Sequence, residues 1–412
     1  ICMLKGGVNM IAPKLRFKAD DVSDFPDWEE CTVGELFVPV VKKNKDGSIQ
    51  NVITNSAQYG LIPQRDFFDK DIAIKENTSN YTIIQNGDFV YNPRKSTTAP
   101  FGPFNIYERD EAGIVSPLYT CLTPKYREMT PYLSWYFRTN KWHSYIVTHG
   151  AQSGARHDRV GMTATLMNGI PVIYPSLPEQ QKIADFLSTI DTIIEKQRAM
   201  ISAWEERKKG VMQKLFSQEV RFKADDVSDF PDWEEKRLGD VFEERTERSV
   251  GGEELLSVTI SQGVIRQSDS DKRNNSSENK SNYKVVKKND LAYNTMRMWQ
   301  GAEGVSDFDG IVSPAYTVVT PLDGNNGKYF EIFFKQISML HLFQRYSQGL
   351  TSDTWNLKFP SFAKIKCCVP CEKEQNKIVN CIVLLDTVIQ KQKETLEKWQ
   401  ELKKGLLQQM FV

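Results

Sequence analysis

RFKADDVSDFPDWEE occupies residues 16–30 and returns letter for letter at 221–235, an offset of 205. A match of that length asks for the rest of the chain to be read as a second copy of the first. Tyr81, Asp88, Tyr91 and Asn92 return as Tyr283, Asp290, Tyr293 and Asn294 at an offset of 202. IVSPLYTCLTP from Ile114 returns as IVSPAYTVVTP from Ile311, at 197. Glu179, Gln180, Lys182 and Ile183 return as Glu374, Gln375, Lys377 and Ile378 at 195, which holds to the end, so the second copy is ten residues shorter. Solenoid units run ~20–50 residues. A period near 200 therefore makes each copy a domain with an appendage. Between the anchors the copies diverge, as 36–80 does from 241–282. A shared frame with different inserts suggests one scaffold presenting two specificities.

The appendages read as long helices. From Glu179 to Phe216 apolar residues recur at heptad spacing, with no Pro and no Gly before Gly210. Ile183, Ile190, Gln197, Trp204 and Val211 fall on one seam, and Ile378, Leu385, Gln392, Trp399 and Leu406 fall on the same seam in copy two. A stripe sustained over about five heptads predicts a coiled coil, with Gln197 and Gln392 as a paired polar layer fixing register. Ordinary core helices are the alternative. Each helix would reach on the order of 55 Å, and antiparallel packing would set the two domains at opposite ends. Lys208-Lys209-Gly210 and Lys403-Lys404-Gly405 read as helix C-terminal turns, where cations favour the dipole and Gly the left-handed cap. The expected division is an extension at 1–15, a domain at 16–177, a helix at 178–218, a domain at 219–371 and a helix at 372–412.

Bulk properties narrow the class. A chain of 412 residues exceeds the ~250–300 that one core usually supports. With 40% hydrophobic residues it can pack cores, and no apolar run approaches the ~20 residues of a bilayer span. The opening ICMLKGGVNMIAPKL has no sustained apolar stretch of the kind that directs secretion, so a cytoplasmic protein is expected. Seven cysteines, an odd number in a long chain, argue for reduced thiols. Cys368 and Cys371 form a CxxC without a second pair or nearby His, a structural reading rather than a zinc site. Fifty-three basic and 53 acidic residues leave distribution to decide about nucleic acid.

Acid crowds the start of each domain (Asp20, Asp21, Asp24, Asp27, Glu29 and Glu30), which should face away from DNA. Basic residues gather at 125–160 and 272–297. Phosphate contact needs such charge, and base reading needs Arg, Lys, Asn, Gln, Ser or Thr on protruding loops. Four loops qualify: 92–98 with Arg94 and Lys95, 152–159 with Gln152, Arg156, His157 and Arg159, 294–300 with Arg297 and Gln300, and 347–354 with Gln348, Thr351 and Ser352. The first and third correspond through the repeat, as roughly do the second and fourth. No phosphate-binding or dinucleotide-binding glycine motif is present, and the four histidines (His143, His149, His157, His341) have no metal-ligand spacing. Asn92-Pro93 is followed by Arg94 rather than the Pro-aromatic of amino-methyltransferases. No catalytic or metal site is expected.

The doubled order of domain and helix resembles the specificity subunits of type I restriction-modification systems. The resemblance rests on Phe25-Pro26-x-Trp28-Glu29 and Phe230-Pro231-x-Trp233-Glu234, Leu238-Gly239-Asp240, the Ser-Pro-x-Tyr strands at Ser116 and Ser313, and the Pro178-Glu179-Gln180-x-Lys182-Ile183 lead-in. It implies an α+β fold: two pseudo-twofold-related target recognition domains of mixed sheet and helices, separated by two long antiparallel coiled-coil helices. It implies that each domain reads one half of a split site in double-stranded DNA. It further implies two modification subunits that methylate adenine with S-adenosylmethionine, and restriction subunits that use ATP and Mg2+, with no cofactor on this chain. The rival class is a non-catalytic coiled-coil scaffold binding proteins or glycans; a self-sufficient nuclease or methyltransferase is hurt by the missing motifs.

Overall fold

The computed structural model describes residues 12–67, 78–150, 158–270, 273–274 and 276–412. Two compact units divide the chain: residues 1–199 with 394–412, and residues 200–393. The first long helix, Leu177–Phe216, starts in unit 1 and ends in unit 2; the second, Glu372–Gln409, starts in unit 2 and ends in unit 1.

Unit 1 carries β1 (Glu29–Thr32), β2 (Phe37–Pro39), β3 (Ile53–Ser56), β4 (Gly60–Pro63), β5 (Thr82–Ile84), β6 (Phe89–Tyr91), β7 (Phe104–Ile106), β8 (Gly113–Val115), β9 (Thr120–Pro124) and β10 (Pro171–Tyr174). Unit 2 carries β11 (Glu234–Arg237), β12 (Phe242–Glu244), β13 (Leu256–Thr259), β14 (Gly263–Arg266), β15 (Lys284–Val286), β16 (Leu291–Asn294), β17 (Glu303–Val305), β18 (Gly310–Val312), β19 (Tyr316–Pro321) and β20 (Lys366–Val369). In unit 1 the four-stranded order is β2-β9-β6-β7, beside the pairs β1-β10, β3-β4 and β5-β8. Unit 2 repeats every pairing with ten added to each number. The ladders are antiparallel, and single parallel bridges at Val52–Ile114 and Leu255–Ile311 make the system mixed.

Period-2 alternation explains why the central strands are apolar throughout. Phe89 and Tyr91 of β6 point into a core shared with Trp135, Phe137, Trp142, Ile183 and Leu187, while Val90 between them faces Ile53, Ile84, Val115 and Cys121. In unit 2, Leu291 and Tyr293 face Phe330, Phe334, Phe362 and Ile378, and Ala292 faces Leu256, Val286 and Val318. Aromatic rings pack edge to face, as Phe37 does on Phe89 at 5.3 Å, and burying each such ring stabilises by about 1.5–3 kcal/mol. One core therefore joins the sheet to the long helix in each unit.

The unvarying 15-residue segment is what fastens the helix start. Glu179, in the first turn of its helix, is 0% exposed. It accepts a fork from Arg16, Nε at 3.1 Å and Nη2 at 2.8 Å, and the same Nη2 donates to the Pro26 carbonyl at 2.7 Å. Glu374 receives the same fork from Arg221 at 3.1 and 2.8 Å. Lys182 and Lys377 donate to the carbonyls of Lys18 and Lys223. Hydrogen bonding to the buried carboxylates raises both guanidinium pKa values above their ordinary range. Gln180 and Gln375 donate back to Pro175 and Pro370. The segment predicted as an acidic outer face is thus also a strap locked to the helix by a buried ion pair.

Of the seam residues, Ile183, Ile190, Gln197 and Ile378 are buried, and Trp204, Leu385, Gln392 and Trp399 are half-buried. The pairs Glu205–Lys393 at 2.7 Å and Lys208–Asp386 at 2.6 Å step in opposite senses along the two helices, which makes them antiparallel. Lys403 pairs with Asp191, which is the Lys208–Asp386 pair repeated at an offset of 195. The capping reading of Gly210 and Gly405 is overturned, since both lie inside helices that run on to Phe216 and Gln409, close to the predicted ends at 218 and 412. An interior Gly costs about 1 kcal/mol. Beyond Gly210 the stripe resumes with Val211, Met212, Leu215 and Phe216, all packed in the unit 2 core, and that burial outweighs it. No two of the six cysteines among the described residues form a disulfide, and Cys368 lies in β20 just ahead of the second helix. No helix among the described residues is long and apolar enough to cross a membrane.

Candidate functional site

The loops that composition singles out meet in pairs. In unit 1, Pro93 accepts from the Val160 amide at 2.8 Å, the Lys95 amide donates to the Asp158 carbonyl at 2.9 Å, and Arg94 and Arg159 form an antiparallel bridge. Segment 158–160 therefore lies along 93–95. Asn92, buried under the loop, donates to the Asn55 carbonyl and accepts from the Arg94 amide. Gly102 closes the loop at φ +85°, where a Cβ would lie 2.0 Å from the Asn92 carbonyl oxygen. Arg94 and Lys95 are exposed and enter no ion pair among the described residues. Arg159, mostly buried, holds Asp158 at 3.7 Å and leaves its Nε without a hydrogen bond among the described residues. Gln152, Arg156 and His157 lie outside the described residues.

Unit 2 builds the same juncture from different side chains. The Leu357 amide donates to the Thr295 carbonyl at 2.8 Å, the counterpart of the Val160–Pro93 bond. Trp299 meets Trp355 edge to face at 5.1 Å, and its Nε1 donates to the Met296 carbonyl. Gln348 and Asn356 exchange two backbone bonds at 3.0 and 2.8 Å. Arg297, Gln348, Thr351 and Ser352 are exposed, and Gln300 is half-buried beside Trp299. The tryptophan brace is invisible in the sequence: Trp299 belongs to the 294–300 loop, but its partner sits 56 residues away.

The basic runs contribute less than their composition promises. Lys125 donates to the carbonyls of Gly34 and Glu35. Arg138 lies over the Trp135 ring at 4.5 Å and pairs with Asp191 at 3.3 Å. Lys284 pairs with Glu244, and Lys287 with Asp309. These cations are engaged within the fold, so runs 125–160 and 272–297 are not continuous patches.

The repeated aspartates are structural too. Asp88 accepts from Thr123 Oγ1 and the Gln85 amide; Asp290 takes Arg245 Nε at 2.5 Å together with Thr320 Oγ1. A different acid lies opposite Tyr293 in the β16–β17 ladder, at the foot of the 294–300 loop. This is Glu303, 0% exposed, with both carboxyl oxygens lacking a hydrogen bond among the described residues and Lys335 Nζ standing 3.8 Å away. Burial drives its pKa well above the usual carboxylate range, so the neutral acid is favoured. Among the described residues no three His, Cys, Asp or Glu are placed to hold a metal ion.

Known proteins share this plan. The MjaX type I restriction enzyme of Methanocaldococcus jannaschii has a protein named as its putative specificity subunit that is 26% identical over 238 residues, 54% of this chain and 55% of that one. The MjaVIII specificity subunit of the same organism is 25% identical over 222 residues, 52% and 49% of the two chains. This chain thus spans about half the length of the curated relatives it matches. A type I restriction-modification S subunit from M. genitalium has the same fold, at TM-score 0.52 and 14% identity over 98% of this chain and 99% of that one. A profile of the type I restriction modification DNA specificity domain matches twice, at 26–201 and 231–398, once on each copy of the repeat. Two matches that follow the internal duplication and cover most of its length lead to one conclusion: the chain belongs to the type I restriction modification DNA specificity domain family.

Proposed function

We propose that this chain is the sequence-reading subunit of a type I restriction-modification enzyme and performs no chemistry itself. Each recognition domain, 16–177 and 219–371, reads one half of a split site in double-stranded DNA. Two modification subunits supply S-adenosylmethionine-dependent methylation, and restriction subunits supply ATP- and Mg2+-dependent cleavage. A DNA partner of this kind is consistent with a cytoplasmic chain.

The observation that carries this reading is the doubled loop juncture. The Pro93–Val160 and Thr295–Leu357 hydrogen bonds are one framework, yet it presents Arg94, Lys95 and Arg159 in one unit and Arg297, Gln300, Gln348, Thr351 and Ser352 in the other. A fixed frame with exchanged polar side chains is what direct readout of two unlike sequences requires. In this reading Arg94 and Lys95 hold phosphates or guanine edges, and the amide and hydroxyl side chains of unit 2 read base edges.

The test begins with single-molecule sequencing of methylated adenines in the host genome, which supplies the bipartite site. Purified chain is then mixed with that duplex, S-adenosylmethionine, ATP and Mg2+, with and without the partner subunits. Methylation is expected only with the modification subunits, and binding should be specific for the mapped site. Methyl transfer or cleavage by the chain alone would overturn the non-catalytic assignment. Binding that ignores the DNA and its salt concentration would favour a protein-binding scaffold.

A further inference from the structure

We propose that Leu350 is a wedge that enters the base stack of the bound duplex, opening one step in the half-site read by unit 2. The inference rests on the DNA-reading role proposed above and assigns to this loop a task that hydrogen-bonding side chains cannot do.

Leu350 is 101% exposed, more than any other large apolar residue described, Val250 following at 94%. An isolated bare leucine on a loose tip would carry no meaning. This tip is held on every side. Gln348 and Asn356 close its base with two backbone hydrogen bonds, and the Thr351 carbonyl accepts from the amides of Thr354 at 2.9 Å and Trp355 at 3.1 Å. The Thr351 amide donates in turn to Thr354 Oγ1 at 3.1 Å. Gly349 takes φ +136°, and a Cβ there would lie 2.5 Å from the Thr354 carbonyl oxygen, so the chain doubles back only because the residue before Leu350 has no side chain. Trp355 then ties the tip to the neighbouring loop through Trp299, and that loop adds a second exposed apolar side chain, Met296.

The neighbours of Leu350 in its loop, Gln348, Thr351, Ser352 and Asp353, are all exposed. The fourth loop itself has no cation between Ser347 and Leu357, so electrostatic attraction to phosphate is not its contribution. A rigid apolar tip ringed by hydrogen-bonding groups matches the way architectural proteins part a base step: the wedge replaces stacking while its neighbours hold the backbone and base edges. Opening a step also lowers the cost of extruding a base for modification, which a chain without catalytic groups can do for its partners.

The device belongs to one half only. The helices before the two loops end alike, Gly150 donating to Ile146 and Ser347 to Phe343, and the loops close alike at Val160 and Leu357. All these anchors share the offset of 197, which sets Ser153 of copy one against Leu350 of copy two.

The test uses the full chain with its modification subunits and the mapped duplex, carrying 2-aminopurine at successive positions through both half-sites. Besides the rise at each base that the modification subunits extrude, wild type should raise fluorescence at one further step, in the unit 2 half-site. Leu350→Ala should abolish that rise and weaken binding about tenfold, and Leu350→Met should restore both. An exposed position makes misfolding of the variants checkable by an unchanged melting temperature. An unchanged rise, or unchanged affinity, in Leu350→Ala overturns the wedge while leaving the reading role intact. Wild type that fails to bind the mapped duplex overturns both.

Discussion

Removing Arg16 should unfasten the first long helix from its strap, and the two copies allow the size of the effect to be argued rather than guessed. Glu179 is fully buried and receives both guanidinium bonds from Arg16. Arg16→Met keeps much of the side-chain volume but strands a carboxylate in the core, a situation that costs about 3–5 kcal/mol. In unit 2 the same substitution, Arg221→Met, leaves Glu374 one remaining charge-assisted bond, from Trp233 Nε1 at 3.2 Å. Its unit 1 counterpart, Trp28 Nε1, has no hydrogen-bond partner among the described residues. Since a bond to a charged group is worth about 1.5–3 kcal/mol, Arg221→Met should be milder than Arg16→Met by roughly that amount. Hydrogen exchange on the full chain resolves the two units: amide protection at Ile183 and Leu187 should fall in Arg16→Met by the larger step, and at Ile378 and Ile382 in Arg221→Met by the smaller. Arg16→Met combined with Glu179→Met should recover most of the loss, because no orphaned charge remains. Equal losses in the two units, or a double variant as unstable as the single, would refute the reasoning.

Other outcomes follow from the same structure. Because burial raises the Glu303 pKa in the folded chain, the folded state prefers the protonated acid; its contribution is complete below the ordinary carboxyl range and is lost as pH rises through the raised value. Glu303→Gln should therefore flatten the decline in melting temperature as pH rises above the ordinary carboxyl range; parallel profiles for variant and wild type would contradict this. Arg94→Glu with Lys95→Glu should lower the slope of log affinity against log salt by about 0.9 for each phosphate no longer neutralised, as measured by fluorescence anisotropy on the mapped duplex. Gly102→Ala, at φ +85° with its new Cβ 2.0 Å from the Asn92 carbonyl oxygen, should cost at least about 1–3 kcal/mol and shift the amide resonances of 92–98; an unperturbed loop would show that the close return is not required.

Sequence makes the duplication, the long helices and the family legible because each is periodic or repeated, and such patterns survive without coordinates. What it obscures is pairing across distance. Lys125 and Arg138 count as free cations until the fold puts the Gly34 and Glu35 carbonyls beside the one and the Asp191 carboxylate beside the other. Lys208-Lys209-Gly210 looks like a cap because the local rule for Lys-Lys-Gly is strong, although the apolar residues behind it carry the helix on. The strap is hidden for the same reason, its arginine and glutamate lying 163 residues apart in one copy and 153 in the other. A signal exists: both members of that charged pair are kept in both copies, whereas most charges around the loops are not. The loops can be named from composition, but their meeting at Pro93–Val160 and Thr295–Leu357 depends on backbone groups that every residue owns, and composition says nothing of those.

Every strand ladder closes inside its own unit, and unit 2 repeats the ladders of unit 1 strand for strand. If the stretch between one copy of RFKADDVSDFPDWEE and its long helix were replaced by its counterpart, the ladder that crosses the seam, Glu29 and Glu30 against Tyr174 and Ile173, would be offered the equivalent strand that pairs Glu234 and Glu235 with Val369 and Cys368. Grafts at these seams would meet the same arginine, the same glutamate and the same flanking prolines on either side. In the proposed reading, a gene built this way can take a new reading half by exchange of a single cassette, provided that the incoming half fills the core it shares with the long helix.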